Sequence, residues 1–398
     1  MIGALGRKDL FGADAEMPRI LGEAEGKYLT LIDCYEANYR GNLRRSSPPT
    51  QRIHANHAFV GALFDPPEEL AFSKMFIGLE DLTAWIGRTG IQERPHINEG
   101  RFDKHTPEAT RLPDDEARLD GYTLKLWHQV NWKQTRYREG TLSERHRFTI
   151  VPDELTGWRD LLKIAADLAD LLSAAFHFPV AYDAICFEHP DAYSQHGEER
   201  HHHQIDIHAQ WQTQLGTRDK PPTHHQMTFS FDDIGGMDGV ARWLSVASKH
   251  RRAISRMMAT RRRTGMYVED RFMNCIAAAE GLHRKHVTRR KRTLAERLTG
   301  LLDLAGDEFK TALPNHEAWV QIVKGERNDL AHHFDQRATN EHPVHLYLAA
   351  STYWLVLLCL LRIMPAPSQA LERLASHEQF EWDMRHTREL VDRLSRTE

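Results

Sequence analysis

The sequence predicts a two-part α+β protein, with a β-rich N-terminal domain at residues 1–235 and an all-α helical bundle at residues 236–398. Three observations lead to this prediction. Runs of β-branched and aromatic residues, separated by proline-containing turns, fill the first part. Apolar stripes at helical spacing fill the second part, and Gly235-Gly236 marks the change between them. A chain of 398 residues also exceeds the usual size of one domain.

The N-terminal part is predicted to contain seven strands and one long amphipathic helix at residues 154–176. The clearest strand alternates Ile205, Ile207 and Ala209 with polar residues, as expected when one face is buried. The polar stretch 88–120 is interpreted as loops. The predicted strands are residues 27–35, 53–63, 70–78, 122–132, 145–151, 203–211 and 226–231.

The C-terminal part is predicted to be helical, with short connections that favour antiparallel neighbours in a bundle. The predicted helices are residues 238–260, 268–286, 292–305, 316–335, 344–363 and 370–396. The most apolar segment, 346–361, is shorter than the roughly 20 residues that a membrane span needs. We therefore interpret it as a buried central helix, and we expect no membrane partner.

Charge and cysteine content narrow the class of protein. The net charge is −4, yet two basic runs lie at residues 249–263 and 284–292. Such runs are typical either of a nucleic-acid interface or of solvated helix faces, and charge alone does not decide. The four cysteines lie far apart, which argues against a disulfide framework and favours a reducing cytosol. The N-terminus lacks the apolar core of a signal peptide, so we expect a cytoplasmic protein.

The candidate site lies in the helix predicted at residues 316–335. Its apolar stripe consists of Trp319, Val323, Leu330 and Phe334, and Arg327 stands where another apolar residue is expected. Arginine is rarely buried without a partner. Asn328 follows directly, and His332 supplies an imidazole that can titrate near neutral pH. A cation and an imidazole beside a packed seam would suit phosphate chemistry.

Spacing alone does not identify this pair. Arg-x-x-x-x-His occurs three times, beginning at Arg52, Arg327 and Arg337, in a chain with 25 histidines. On a straight helix, positions five apart diverge by about 140°. Arg327 and His332 would therefore need a helix break at Gly325, or two copies of the segment meeting in a dimer.

The helical part resembles the HEPN superfamily. The resemblance rests on Arg-Asn-x-x-x-His at the start of a late helix (Arg327 to His332), together with Ala-Glu-Gly-Leu-His-Arg at 279–284 and Thr-Leu-Ala-Glu-Arg-Leu at 293–298. The first part is similar to the N-terminal domain of ApeA-type antiphage proteins, on the short motifs at 59–61, 72–75 and 82–86.

The resemblance implies a metal-independent endoribonuclease that acts as a homodimer through its helical domain, often as a toxin in abortive infection. It implies that Arg327 and His332 are the catalytic pair and that Asn328 supports them, with Glu280 and His333 as helpers of no firm role. The expected partner is RNA, with no cofactor or metal. The N-terminal domain would be a sensor or regulator that meets a phage-derived trigger.

The alternatives stay open at this point. Arg327 paired with Glu326 or Asp329 would be purely structural, and the helical domain would then be an inactive scaffold for dimerisation or RNA binding. A His-dependent metallohydrolase is the second alternative, since His196 to His208 is rich in histidine. A surface cluster of histidines is the simpler interpretation of that tract, and no pairing selects a zinc site.

Overall fold

The computed structural model describes residues 17–40, 50–65, 70–99, 101–136, 139–209, 223–262, 265–332 and 342–396. The predicted fold class is confirmed: a β-rich part is followed by an all-helical part. Of the positions named above, His333, Phe334 and Arg337 lie outside the described residues, and only the backbones of Arg52 and His332 are described.

The β-rich part contains fifteen strands within the described residues. The strands are β1 Met17–Ala24, β2 Lys27–Arg40, β3 Thr50–Val60, β4 Ala71–Phe72, β5 Lys74–Leu79, β6 Ile91–Asn98, β7 Arg101–Ala109, β8 Asp115–Leu119, β9 Tyr122–Arg136, β10 Glu139–Pro152, β11 Thr156–Gly157, β12 Tyr182–Glu188, β13 Tyr193–His196, β14 Glu199–His202 and β15 Ile205–Ala209. Two helices interrupt them, α1 Leu82–Ile86 and α2 Trp158–Phe176.

Nine of these strands form one sheet, in the order β1-β2-β3-β15-β12-β5-β10-β9-β8. Neighbouring strands are antiparallel throughout. The alternation predicted for β15 is confirmed, because Ile205, Ile207 and Ala209 are buried against the core. Helix α2 packs its apolar face, including Leu168 and Leu172, into the same core.

Two predictions for this part are wrong. Residues 88–120 are not all loop, since β6 and β7 pair as a hairpin and β8 joins the large sheet. The side chains of β6 are almost all exposed, so no alternating pattern revealed the strand. Residues 226–231 form no strand: a short 3-10 helix ends at Gln226, and the Thr228 N–H donates to the carbonyl of Ala175 at the end of α2.

The helical part begins at Gly236, where Gly235 and Gly236 both adopt positive φ angles (87° and 64°) that favour glycine. Its helices are α3 Gly236–Arg262, α4 Val268–His286, α5 Leu294–Ala305, α6 Asp307–Ala312, α7 His316–His332, α8 His342–Ile363, α9 Ser368–Ala375 and α10 Glu378–Ser395. Helix α6 was not predicted. The helix predicted at 370–396 is two helices, because the His377 side chain caps α10 by accepting from the Gln379 N–H.

Helix α8 is the core of the bundle, as predicted. Among the described residues it is the single helix long and apolar enough to cross a membrane, and most of it is buried inside the protein. Every residue from Ser351 to Leu361 is essentially inaccessible. This burial is consistent with a soluble protein.

Helices α2 and α3 join the two parts of the chain. The Trp243 indole N–H donates to the carbonyl of Asp167 at 2.8 Å. Arg251 pairs with Asp167, and Arg262 pairs with Asp170, so two buried carboxylates of α2 face two arginines of α3. One continuous hydrophobic core runs through both parts. The division at residues 235 and 236 therefore coincides with a change of secondary structure, while its status as a domain boundary stays a prediction.

Candidate functional site

The candidate site lies on the C-terminal half of α7. Trp319 and Val323 anchor this helix in the core, with no accessible surface. Arg327 is half-buried at the edge of the same face, as its position in the apolar stripe predicts. Packing of α7 therefore brings a guanidinium group to the margin of the core and leaves part of it open to solvent.

Arg327 has a single hydrogen-bond partner within the described part of the chain. Its Nη1 donates to Asn328 Oδ1 at 3.2 Å, and it forms no salt bridge with any described carboxylate. A guanidinium carries five N–H donors, so most of its donor capacity is available to a ligand. A partly desolvated arginine with an amide neighbour and no described carboxylate can bind a phosphate through two parallel hydrogen bonds.

Glu326, the residue before Arg327, is held by a histidine of another helix. Its Oε2 lies 3.1 Å from Nε2 of His345, in the first turns of α8. Nδ1 of His345 lies 4.0 Å from Oε1 of Glu269 on α4, and its ring stacks on Phe272 with centroids 5.5 Å apart. One imidazole thus joins α4, α7 and α8 beside the candidate site.

Helix α7 is unbroken at Gly325. It runs from His316 to His332, and Gly325 has an ordinary helical backbone. The Arg-Asn motif lies near the end of α7, and not at the start of a late helix as the resemblance predicted. Positions five apart on a continuous helix diverge by about 140°, so positions 327 and 332 lie on different sides of α7. The helix break expected at Gly325 is therefore wrong, and a site shared between two copies of the chain stays a prediction.

Three cations of the first basic run, residues 249–263, pack against other groups of the fold. Arg251 donates from Nε and Nη2 to the two carboxylate oxygens of Asp167. Arg262 pairs with Asp170, and the guanidinium of Arg261 lies 4.0 Å from the centre of the Tyr353 ring. For these members, the structural interpretation of the run is correct.

The second basic run is different, because its side chains are exposed at the C-terminal end of α4 and in the loop to α5. Five of its cations form no salt bridge with any described residue: Arg284, Lys285, Arg289, Arg290 and Lys291. Helix α4 rises 1.5 Å per residue, so this basic loop lies about 20 Å from Glu269 and Phe272 at the other end of α4. The electropositive surface and Arg327 are therefore separate features of the bundle.

The remaining candidates contribute little to the site. Glu280 is half-buried in the middle of α4, about two turns or more from the α4 residues that contact His345. Most histidines of the tract lie in the exposed hairpin of β13 and β14, where the rings of His196 and His201 lie 5.5 Å apart. Within the described ranges, no group of three or more His, Cys, Asp or Glu side chains is arranged to hold a metal ion.

Sequence reasoning considered Glu326 only as a partner of Arg327, and it missed the contact between Glu326 and His345. A signal for Glu326 was present, because it follows Trp319 by seven residues and Val323 by three, which places it on the buried face. No comparable signal identified His345, since its contact with Glu326 joins two different helices.

Comparison with known families gives one match. The family model described as ApeA N-terminal domain 1 matches residues 7–243, which is more than half of the chain and extends into α3. No curated protein and no solved structure matches the chain.

Proposed function

Because the chain belongs to the family of ApeA N-terminal domain 1, we propose that it is an antiphage defence protein that cuts single-stranded RNA without a metal ion. Membership of this family suggests antiphage defence. The nuclease would be the helical part, acting as a HEPN-type homodimer. The β-rich part would restrain it until a phage-derived trigger is met, since unrestrained RNA cleavage is toxic to the host.

The observation that carries the proposal is that Arg327, at the margin of the core, has no carboxylate partner among the described residues. A guanidinium at the margin of the core that has no described carboxylate partner contributes little to the fold, so a ligand is a better explanation for it than stability. A phosphodiester is one of the anions that two parallel N–H donors of arginine fit. Asn328, whose amide oxygen accepts from Arg327, would hold the guanidinium in place for that contact.

The chemistry needs no metal. A base removes the proton from a ribose 2′-OH, and the 2′ oxygen attacks the adjacent phosphorus. The bond from phosphorus to the 5′ oxygen then breaks, and an acid protonates the leaving oxygen. The products are a 2′,3′-cyclic phosphate and a 5′-OH. His332 would serve as base or acid, a contribution of roughly 10²–10⁴-fold, and Arg327 would stabilise the charge that develops on the phosphate.

A second subunit would complete the site. Since Arg327 and His332 diverge on an unbroken α7, the proposal places Arg327 of one copy near His332 of the other at a twofold axis. The exposed basic loop at 284–292 would bind the RNA backbone, and single-stranded segments are the accessible targets.

The test uses the full-length protein with a 5′-labelled single-stranded RNA in the presence of EDTA, with and without extract from phage-infected cells as a source of trigger. We expect cleavage to products that end in a 2′,3′-cyclic phosphate. Arg327→Ala and His332→Ala should each reduce cleavage at least about 10²-fold. The matched control is Arg256→Ala, because Arg256 also donates to an asparagine, Asn274, but on α3.

Three outcomes decide between the functions. Cleavage in EDTA that depends on Arg327 supports the nuclease. RNA binding or dimerisation without cleavage, and host toxicity unchanged in Arg327→Ala, would mean an inactive scaffold. Cleavage that EDTA abolishes and that survives in Arg327→Ala would mean a metal-dependent hydrolase.

A further inference from the structure

His345 lies in a half-buried cluster with two carboxylates, Glu326 and Glu269, and this cluster has no part in the chemistry proposed above. Its side chain is 15% exposed and that of Glu326 is 22% exposed, so their contact is partly shielded from water. The stacking of the ring on Phe272 fixes its plane, and the second carboxylate, Glu269, lies at the other ring nitrogen. The imidazole is thus held in one orientation, with Nε2 directed at Glu326.

The contact decides where the negative charge of Glu326 is placed. Arg327 follows Glu326 directly, and its guanidinium reaches the side chain of its other sequence neighbour, Asn328, at 3.2 Å. A glutamate carboxylate has similar reach. If Glu326 were released from His345, its carboxylate would become available to Arg327 and would compete there with any phosphate.

We propose that His345 is a positioning residue that holds Glu326 away from Arg327 and thereby keeps the guanidinium available for a phosphodiester. This inference rests on the proposed function, because it assigns His345 a role at the same anion site. It adds a residue from α8 to a site that the motif places on α7 alone. It also explains how a carboxylate can lie beside the site: Glu326 does not compete with phosphate for Arg327 as long as His345 holds it.

A second substitution at Glu326 should rescue the loss of His345. Removing the imidazole should weaken phosphate binding, and removing the charge of Glu326 in the same protein should restore it. A histidine that acted as an acid or base would not be rescued in this way. Neither would a histidine that only supported packing, since Glu326→Gln does not restore the packing of the missing ring.

The experiment measures binding and cleavage separately in the full-length protein. Binding of a fluorescent single-stranded oligonucleotide with 2′-O-methyl riboses, which has no nucleophilic 2′-OH, is measured by anisotropy. The variants are His345→Ala, Glu326→Gln and the double variant, with Arg327→Met as the reference for loss of the site. We expect His345→Ala to weaken binding about fivefold, the scale of one partly exposed charge pair. The double variant should bind within about twofold of the wild type.

Glu326→Gln alone keeps His345 in place and should also bind within about twofold of the wild type. This variant keeps the proposal testable if His345→Ala does not fold, because a large gain in affinity would show that Glu326 already neutralises Arg327. A double variant as weak as His345→Ala, or a His345→Ala that binds like the wild type, would also overturn the proposal.

Cleavage assays with the unmodified RNA separate this proposal from the proposed function. Rescue of kcat in the double variant agrees with a positioning role, whereas loss of kcat without rescue means that His345 acts on protons. If the wild type binds the oligonucleotide in the expected pattern but never cleaves RNA, the nuclease proposal fails and the role of His345 in anion binding stands.

Discussion

Arginine has different partners in two regions of the molecule, the α2–α3 interface and the C-terminal half of α7. At the interface, Arg251 and Arg262 each lie against an aspartate that is almost fully buried. On α7, Arg327 is half-buried as well, yet it meets only an amide among the described residues. The charge of the guanidinium is thus paired with a carboxylate in one region, while in the other its N–H donors remain available to a ligand. The difference shows that the partner of an arginine, more than its burial, indicates whether it serves the fold or a ligand.

The largest effect is expected at the compensated interface. Arg251→Met would leave Asp167 buried without its bidentate partner, so we expect the free energy of unfolding to fall by about 2–4 kcal/mol. Denaturation in urea measures this change. The control is Arg118→Met, which removes an exposed salt bridge to Asp153 and should cost less than about 1 kcal/mol. Equal costs at both positions would mean that the α2–α3 pair is no more important than a surface pair.

The two basic runs extend the comparison to RNA binding. Changing the five exposed cations of the basic loop (Arg284, Lys285, Arg289, Arg290 and Lys291) to Gln should weaken RNA binding at least about tenfold and leave folding stability unchanged. The slope of log affinity against log salt should become shallower by about 0.7 for each RNA phosphate that the variant no longer neutralises.

The matched control changes five exposed cations that each pair with a carboxylate on the N-terminal part: Arg94, Arg111, Arg118, Lys125 and Lys163. It should leave the salt slope unchanged. If both variants lose affinity equally, binding depends on total charge and not on the loop.

A smaller effect, on pH dependence, is expected at Asp170. Burial raises the pKa of this carboxyl from 3.8 to about 7, and the guanidinium of Arg262 opposes that rise only in part. Between about pH 4 and pH 7 the folded protein therefore holds a proton that the unfolded chain releases. This contribution to stability is present below pH 4 and is lost as the pH rises to 7.

Asp170→Asn removes the titration. The free energy of unfolding of both proteins is measured by urea denaturation at several pH values. The wild type should lose stability relative to Asp170→Asn as the pH rises from 4 to 7. Above pH 8 the difference in free energy between the two should be constant. A wild type that gains on the variant over this range would mean that the ion pair with Arg262 outweighs burial.

Much of the fold could be predicted from the spacing of apolar residues in the sequence, whereas much of the site could not. The boundaries of α4 were predicted to the residue, since Phe272, Cys275, Ile276 and Leu282 form an uninterrupted apolar stripe. Strand β6 was not predicted, because it is exposed on both faces and its sequence therefore lacks an alternating pattern. Arg327 could be singled out as a charge in an apolar stripe. The contact between Glu326 and His345 could not be predicted, because a contact between two helices produces no periodic pattern in the sequence of either helix.

The central claim, that Arg327 is kept for a ligand at no benefit to the fold, has a direct test that requires neither RNA nor a trigger. The measurement is the thermal unfolding midpoint of Arg327→Met beside that of Arg251→Met, since methionine keeps an apolar stem and removes the charge. We predict that Arg327→Met unfolds at the wild-type temperature or above it, while Arg251→Met unfolds several degrees lower. If Arg327→Met is destabilised as much as Arg251→Met, Arg327 is a structural residue and the candidate site is wrong.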